Sequence, residues 1–186
     1  MIRYKTDKKP SIQVVDRFLS PDDFQEVYEF AYNAPYGYGE SDMVNLPPTG
    51  MACDIFDSDD PSLPDEAEEL ADFIHSKIVE KFPEVEKDYQ LYRAYINCFA
   101  PREVAYFHQD CQEHDDQLTF LLYSNAIYRG LDEGGTTEFY LDDRIIGLPP
   151  IPNTLVKFTS WIWHRATPLV SDHRFSYAFK YCRKTN

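Results

Sequence analysis

The second half of the sequence alternates apolar and polar side chains with a period of two residues, which is the period of a β-strand. Turn residues such as Gly134 and Gly135 separate six segments of this kind. The segments are 89–99, 117–124, 136–141, 154–158, 161–166 and 174–182. So many short strands in succession restrict the fold to a sandwich or barrel built mainly from antiparallel sheet.

The region before these strands has the apolar spacing of helices. Ser20, followed by a proline and two aspartates, is typical of a helix N-terminus. Ser62, with Asp65 three residues later, predicts the start of a second helix. Helices followed by strands predict a mainly β protein with flanking helices. We expect a double-stranded β-helix (jelly roll) covered on one sheet by the N-terminal helices.

No internal repeat or linker divides the chain, and 186 residues suffice for one well-buried core. We expect one domain over 1–186, with a frayed segment at 1–10, helical support at about 20–82 and a jelly-roll core at about 89–182. Residues 34–50 predict a loop, either an ordinary surface connection or a lid over a pocket.

The composition limits the classes of molecule that the protein is expected to bind. The formal net charge of −14 disfavours nucleic acids and acidic membrane surfaces as binding partners.

Four scattered cysteines form no CxxC pair, and no apolar run has the length of a bilayer span. The first residues also lack a signal-peptide pattern, so we expect a cytoplasmic, reduced protein. The sequence leaves the oligomeric state open.

His108 and Asp110 are the first candidate site residues. Side chains two residues apart in an extended segment point to the same side, so an imidazole and a carboxylate can face one direction. His164 from a distant strand would complete two nitrogen ligands and one oxygen ligand, the set found in non-haem Fe(II) oxygenases. Taken alone, His108 and Asp110 are also compatible with a simple hydrogen bond. Arg174 has a planar fork that suits a carboxylate.

Strand alternation predicts which side chains face inward. In 174–182, Arg174 and Ser176 share one face and the aromatic residues share the other. The strand at 89–99 places Arg93, Tyr95 and Asn97 on a polar face, opposite a set that includes Tyr92. The strand at 161–166 places His164 inward, with Trp161 and Trp163 outward.

The order of these residues resembles a known family. His108-x-Asp110, then His164, then Arg174-x-Ser176 is similar to the HxD…H…RxS pattern of the Fe(II)/2-oxoglutarate-dependent dioxygenases. The Leu-Ser-Pro-Asp sequence at 19–22 and segments 119–125 and 134–139 resemble the prolyl-4-hydroxylase-like branch of that superfamily. The resemblance covers about residues 12–182.

The resemblance implies a role for each matching position. It implies three metal ligands: His108, Asp110 and His164. It implies four residues that bind 2-oxoglutarate: Arg174, Tyr123, Tyr95 and Ser176. Beside these matching positions, three further residues are candidates for contacting the substrate: Arg93, Asn97 and Trp163.

The implied reaction uses Fe(II), 2-oxoglutarate and O2, and allows ascorbate as an additional reductant. It converts 2-oxoglutarate into succinate and CO2 while a C–H bond becomes C–OH. The implied substrate is a prolyl residue in a peptide or protein, or a small amino-acid-like molecule.

Three alternatives remain open. A nucleic-acid demethylase-type oxygenase typically has a second arginine where this chain has Lys180. A non-catalytic jelly-roll binding module would keep the barrel without the chemistry. A zinc or manganese hydrolase of the cupin type is the third.

Overall fold

The computed structural model describes residues 10–39, 41, 45–103, 105–112 and 115–185. The strands are β1 Ile12–Asp16, β2 Gly37–Tyr38, β3 Met51–Asp57, β4 Tyr89–Phe99, β5 Gln117–Tyr123, β6 Thr137–Leu141, β7 Arg144–Leu148, β8 Thr154–Thr159, β9 Trp163–Ala166 and β10 Arg174–Arg183. The helices are α1 Pro21–Asn33, α2 Asp65–Lys81 and α3 Pro83–Asp88. The segment expected to be frayed lies outside the described residues, except for Pro10.

The strands form two antiparallel sheets. The larger has the order β1-β8-β5-β10-β4-β3-β2, and the smaller has the order β7-β6-β9. One apolar cluster joins them, because side chains of β5, β8 and β10 pack with Phe139 of β6. The members from the larger sheet are Leu121, Tyr123, Val156, Phe158 and Ala178.

The helices cover the opposite face of the larger sheet. The alternate residues of β10, Phe175, Tyr177 and Phe179, pack in a second cluster with the buried faces of α1 and α2. The Tyr177 hydroxyl donates a hydrogen bond of 2.7 Å to the Val27 carbonyl of α1. The structure therefore confirms a mainly β protein with helices on one sheet.

The two predicted helix starts have different outcomes. The Ser20 hydroxyl accepts a hydrogen bond from the Asp23 backbone at 3.2 Å and caps α1, as expected. The second predicted helix is present as α2, but Ser62 does not cap it, because its hydroxyl donates to Asp60 at 2.6 Å and α2 begins at Asp65.

Among the described residues, no helix combines the length and the apolar character needed to cross a lipid bilayer.

Candidate metal centre and its cavity

A cavity of about 250 Å³ opens between the two sheets. It is lined by predicted site residues from β4, β9, β10 and the segment before β5, namely Arg93, Tyr95, Asn97, His108, Asp110, His164, Arg174 and Ser176. The pairing of β4 with β10, and the bridge between His108 and His164, thus bring together residues that are far apart in the chain.

Three potential ligand atoms converge on one wall of this cavity. One suitable atom each from His108, Asp110 and His164 lies within 4.8 Å of the other two. The Nε2 atoms of His108 and His164 lie 3.6 and 3.7 Å from Asp110 Oδ1. Two imidazole nitrogens and one carboxylate oxygen could hold a divalent metal and leave coordination positions open.

Backbone hydrogen bonds fix both imidazoles in this orientation. The Nδ1 atom of His108 lies 3.1 Å from the Tyr106 carbonyl, and that of His164 lies 2.8 Å from the Ile162 carbonyl. A carbonyl can only accept, so Nδ1 carries a hydrogen in both rings, and in the neutral form of each ring Nε2 keeps its lone pair. Burial lowers the pKa of His164 to about 3, so that imidazole is neutral at pH 7.

The second oxygen of Asp110 has different partners. Asp110 Oδ2 accepts a hydrogen bond of 2.6 Å from the Thr119 hydroxyl and forms an ion pair with Lys180. Burial alone would raise the pKa of Asp110, but Lys180 and the two imidazoles together hold it well below its usual range. Asp110 is therefore ionised and acceptor-only at neutral pH.

Arg174 is a buried cation that lines the same cavity, and it is 2% exposed. Its guanidinium donates to the Gly135 carbonyl at 2.9 Å, to Ser176 Oγ at 3.2 Å and to Thr137 Oγ1 at 2.9 Å. All three acceptors are uncharged, and no carboxylate in the described part of the chain forms an ion pair with Arg174. A buried cation without a countercharge is costly unless a ligand supplies one.

The turn before β6 shapes the Arg174 site. Gly135 has a φ of +74°, a conformation that side chains rarely adopt, and a Cβ there would lie 2.5 Å from Leu169 Cδ2. Glycine thus lets the Gly135 carbonyl face the guanidinium.

Two predicted residues do not line the cavity. Tyr123 lies behind Arg174, with its ring centroid 5.5 Å from the guanidinium carbon, and its hydroxyl donates to Thr137 at 2.7 Å. Tyr123 thus supports Arg174 and Thr137 from outside the cavity. Trp163 is half-buried on β9 and is not among the residues that line the cavity, and its role as a substrate contact stays a prediction.

The structure also corrects two predicted side-chain directions. Trp161 is only 2% exposed and packs in the inter-sheet core rather than outward, because it lies in the turn before β9 where strand alternation does not apply. Tyr92 lines the cavity together with Arg93. The reason is a bulge, since Lys180 pairs with Arg93 and the next residue of β10 pairs with Leu91, leaving Tyr92 as the extra residue.

Sequence reasoning missed Thr137, Gln109 and Lys180 as cavity residues. Lys180 had a usable signal, because it follows Arg174 and Ser176 at even spacing on β10. Gln109 lines the cavity although it lies between His108 and Asp110, where strand alternation would point it the other way. Ser41 lines the cavity from the predicted loop, but Glu40 and 42–44 lie outside the described residues.

No protein-family model matches the sequence, and no curated protein matches it in sequence. Solved structures do share its fold. A prolyl hydroxylase from Trichoplax adhaerens, solved with a peptide fragment of the hypoxia inducible factor oxygen degradation domain, has a TM-score of 0.72 at 14% identity. The match covers 92% of this chain and 83% of that chain.

Two further solved structures share the fold. A 2OG-Fe(II) oxygenase family protein from Burkholderia pseudomallei has a TM-score of 0.75 at 13% identity, covering 94% of this chain and 86% of that one. The viral collagen prolyl hydroxylase of Paramecium Bursaria Chlorella virus-1, in its 2OG complex, has a TM-score of 0.61 at 15% identity, covering 94% and 96%. These likenesses show the fold, and at that level they confirm the resemblance suggested by the sequence motif.

Proposed function

We propose that the protein is an Fe(II)- and 2-oxoglutarate-dependent dioxygenase that hydroxylates a C–H bond. The observation that carries this proposal is that one cavity contains both the three converging ligand atoms and the buried Arg174, which has no countercharge among the described residues. In this proposal, residues 1–186 form one oxygenase domain with a jelly-roll core.

The donor atoms fit Fe(II). His108 and His164 present Nε2 lone pairs, and Asp110 presents Oδ1 between them. These three atoms would hold the iron and leave three of about six positions for cosubstrate and O2. The two backbone carbonyls that accept from the Nδ1 atoms hold the rings in this orientation before any metal binds.

The Arg174 end of the cavity fits the distal carboxylate of 2-oxoglutarate. Thr137 Oγ1 accepts hydrogen bonds from both Arg174 and Tyr123, so its own hydrogen remains for donation to a ligand. Ser176 lies beside the guanidinium, and Tyr95 lines the same cavity. A dianionic cosubstrate that reaches from the metal ligands to Arg174 would supply the countercharge that the described residues lack.

When bound, the iron supplies the oxidation, in which 2-oxoglutarate and O2 become succinate and CO2 and one oxygen atom enters a substrate C–H bond. The residues of this chain hold and orient the reactants. Arg174 and Thr137 set the direction of the cosubstrate, and the apolar packing around His164 excludes water from the metal side of the cavity. Ascorbate would serve as an auxiliary reductant.

We propose a prolyl residue in a peptide or protein, or a small amino-acid-like molecule, as the substrate. Prolyl hydroxylases from several sources share the fold, and one of them was solved with a peptide. The cavity volume of about 250 Å³ also supports a small group, because it lies below the roughly 300–1,000 Å³ typical of ligand pockets. Arg93 and Asn97, on the cavity wall, are the proposed substrate contacts.

Turnover of 2-oxoglutarate tests the proposal. Protein loaded anaerobically with Fe(II) is mixed with 2-oxoglutarate and oxygenated buffer, with proline-containing peptides or free amino acids, and succinate is measured. We expect succinate in proportion to substrate that gains one oxygen atom, and none from His164→Ala. Iron-loaded protein that forms no succinate with any of these substrates would instead favour a non-catalytic binding module.

A further inference from the structure

The two oxygens of Asp110 face different surroundings. Oδ1 faces the Nε2 atoms of both histidines, and Oδ2 faces Lys180 and the Thr119 hydroxyl. Thr119 Oγ1 lies 2.9 Å from Ser160 Oγ. Because Thr119 uses its hydrogen for Asp110, it accepts the hydrogen of Ser160. Oδ2 is therefore held by one cation and by one hydroxyl that is itself oriented.

The pairing register of the strands places both donors, Lys180 and Thr119, beside Asp110 Oδ2. On β10, Lys180 pairs directly with Thr119 of β5. The Asp110 backbone N–H donates to the Ser160 carbonyl at 2.9 Å, which fixes the carboxylate beside this pair. The arrangement thus depends on the central strands of the larger sheet.

Burying the charged side chain of Lys180 at this position costs free energy. Its side chain is 8% exposed, and the Asp110 side chain is 6% exposed. Removing two charges from water costs free energy that the attraction between them often fails to recover, so a buried ion pair is weak evidence for a role in stability. The ion pair also lies on the cavity wall, next to the metal-binding atoms.

We propose that Lys180 is a positioning residue that keeps Asp110 a one-oxygen metal ligand, and so keeps two adjacent metal positions open for 2-oxoglutarate. This inference rests on the proposed function. A cation already bound at Oδ2 repels a second cation from that oxygen, whereas Oδ1 remains available between the imidazoles. Without Lys180, Asp110 can rotate and bind the metal with both oxygens, and its second oxygen then occupies a position that the cosubstrate needs.

The test compares the metal complexes of the wild type and Lys180→Met. Mn(II) is used in place of Fe(II), because it is stable in air and accepts oxygen ligands. Crystal structures give the number of Asp110 oxygens bound to Mn(II). Calorimetry gives the dissociation constant of Mn(II), and then that of 2-oxoglutarate for the Mn(II)-loaded protein.

We expect one Asp110 oxygen on the metal in the wild type and two in Lys180→Met. The 2-oxoglutarate dissociation constant should rise by about tenfold or more, the scale of the activity losses that follow the loss of residues orienting metal ligands. Mn(II) should bind at least as tightly, because the Lys180 cation no longer repels it. Lys180→Arg, which keeps the cation, should behave like the wild type. If Lys180→Met does not fold, Lys180→Gln carries the same prediction.

A matched control is Lys157→Met. Lys157 is also buried, at 7% exposure, and forms an ion pair of 2.6 Å with Glu84, but it does not line the cavity. This control should lose stability without changing the binding of 2-oxoglutarate.

Two Asp110 oxygens on the metal in the wild type would overturn the proposal. The proposal would also be overturned if Lys180→Met bound Mn(II) through a single Asp110 oxygen and kept the 2-oxoglutarate dissociation constant of the wild type. A wild-type Mn(II) complex that binds no 2-oxoglutarate would refute the proposed function instead, and the oxygen count would still decide the role of Lys180.

Discussion

His108 and His164 exchange two backbone hydrogen bonds, each 2.9 Å long, from the N–H of one residue to the carbonyl of the other. This isolated bridge attaches the segment before β5 to β9. The two imidazoles project from paired positions, with ring centroids 4.4 Å apart. The main chain therefore sets the separation of the two nitrogen donors, and a metal would bind to a site that is already formed.

Replacing His164 by alanine should abolish most metal binding. The substitution removes one of the two nitrogen donors and leaves Asp110 and His108 unable to complete the set. Calorimetry with Fe(II) under anaerobic conditions measures the effect. His173→Ala is the control, because His173 is exposed and lies outside the cavity. Equal metal affinity in His164→Ala and wild type would contradict the proposed ligand set.

Replacing Arg174 by methionine should weaken the binding of 2-oxoglutarate by about a hundredfold, which is the scale for losing one partner of a buried charge pair. Iron affinity should change little, because Arg174 contacts no proposed metal ligand. Arg165→Met is the matched control, since Arg165 pairs with Glu138 away from the cavity. A parallel loss of iron and cosubstrate in Arg174→Met would refute the separate roles.

Gly135→Ala should lower the free energy of unfolding by about 1–2 kcal/mol, the cost of placing a side chain in the left-handed region. It should also weaken the binding of 2-oxoglutarate, because the Gly135 carbonyl accepts a hydrogen bond that orients Arg174. Denaturant unfolding and calorimetry measure the two effects. Gly147→Ala should change neither, since the nearest atoms to its Cβ are 3.8 Å away or more. Equal effects from the two substitutions would contradict this account of the turn.

The metal-free protein should lose stability as the pH falls from about 6.5 towards 3. Burial lowers the folded-state pKa of His164 to about 3, so the unfolded chain binds a proton in this window that the folded chain does not. Between pH 7 and 5 the loss from His164 is on the order of 2 kcal/mol. Asp110, whose folded pKa is also lowered, adds to the loss only below about pH 4.

Urea unfolding at pH 7, 6 and 5 in the presence of a chelator measures this slope. His164→Gln should flatten it, and His173→Gln should leave it unchanged. An unaltered slope in His164→Gln would show that another group causes the acid sensitivity.

The sequence predicted the strands that carry the site because each has one apolar and one polar face. β4 has its predicted bounds, and the alternation of β10 separated Arg174 and Ser176 from the aromatic residues under the helices. The cavity wall therefore followed from local periodicity.

Other elements lacked that signal. β7 was missed because it is an exposed strand at the edge of the smaller sheet, with Gly147 in its interior and no alternating burial. β3 was missed because its aspartates are typical of a turn, although Cys53 and Ile55 alternate inward. The bulge that turns Tyr92 into the cavity depends on pairing with β10, which no local pattern encodes.

The most direct measurement of the central claim is an anaerobic titration of the Fe(II)-loaded protein with 2-oxoglutarate, followed by visible absorption. Chelation of the iron by the keto and carboxylate oxygens produces a metal-to-ligand charge-transfer band. We predict a band that saturates at one 2-oxoglutarate per protein, that is absent in His164→Ala, and that needs far more cosubstrate in Arg174→Met. Iron-loaded wild-type protein that shows no band at saturating 2-oxoglutarate would contradict the account.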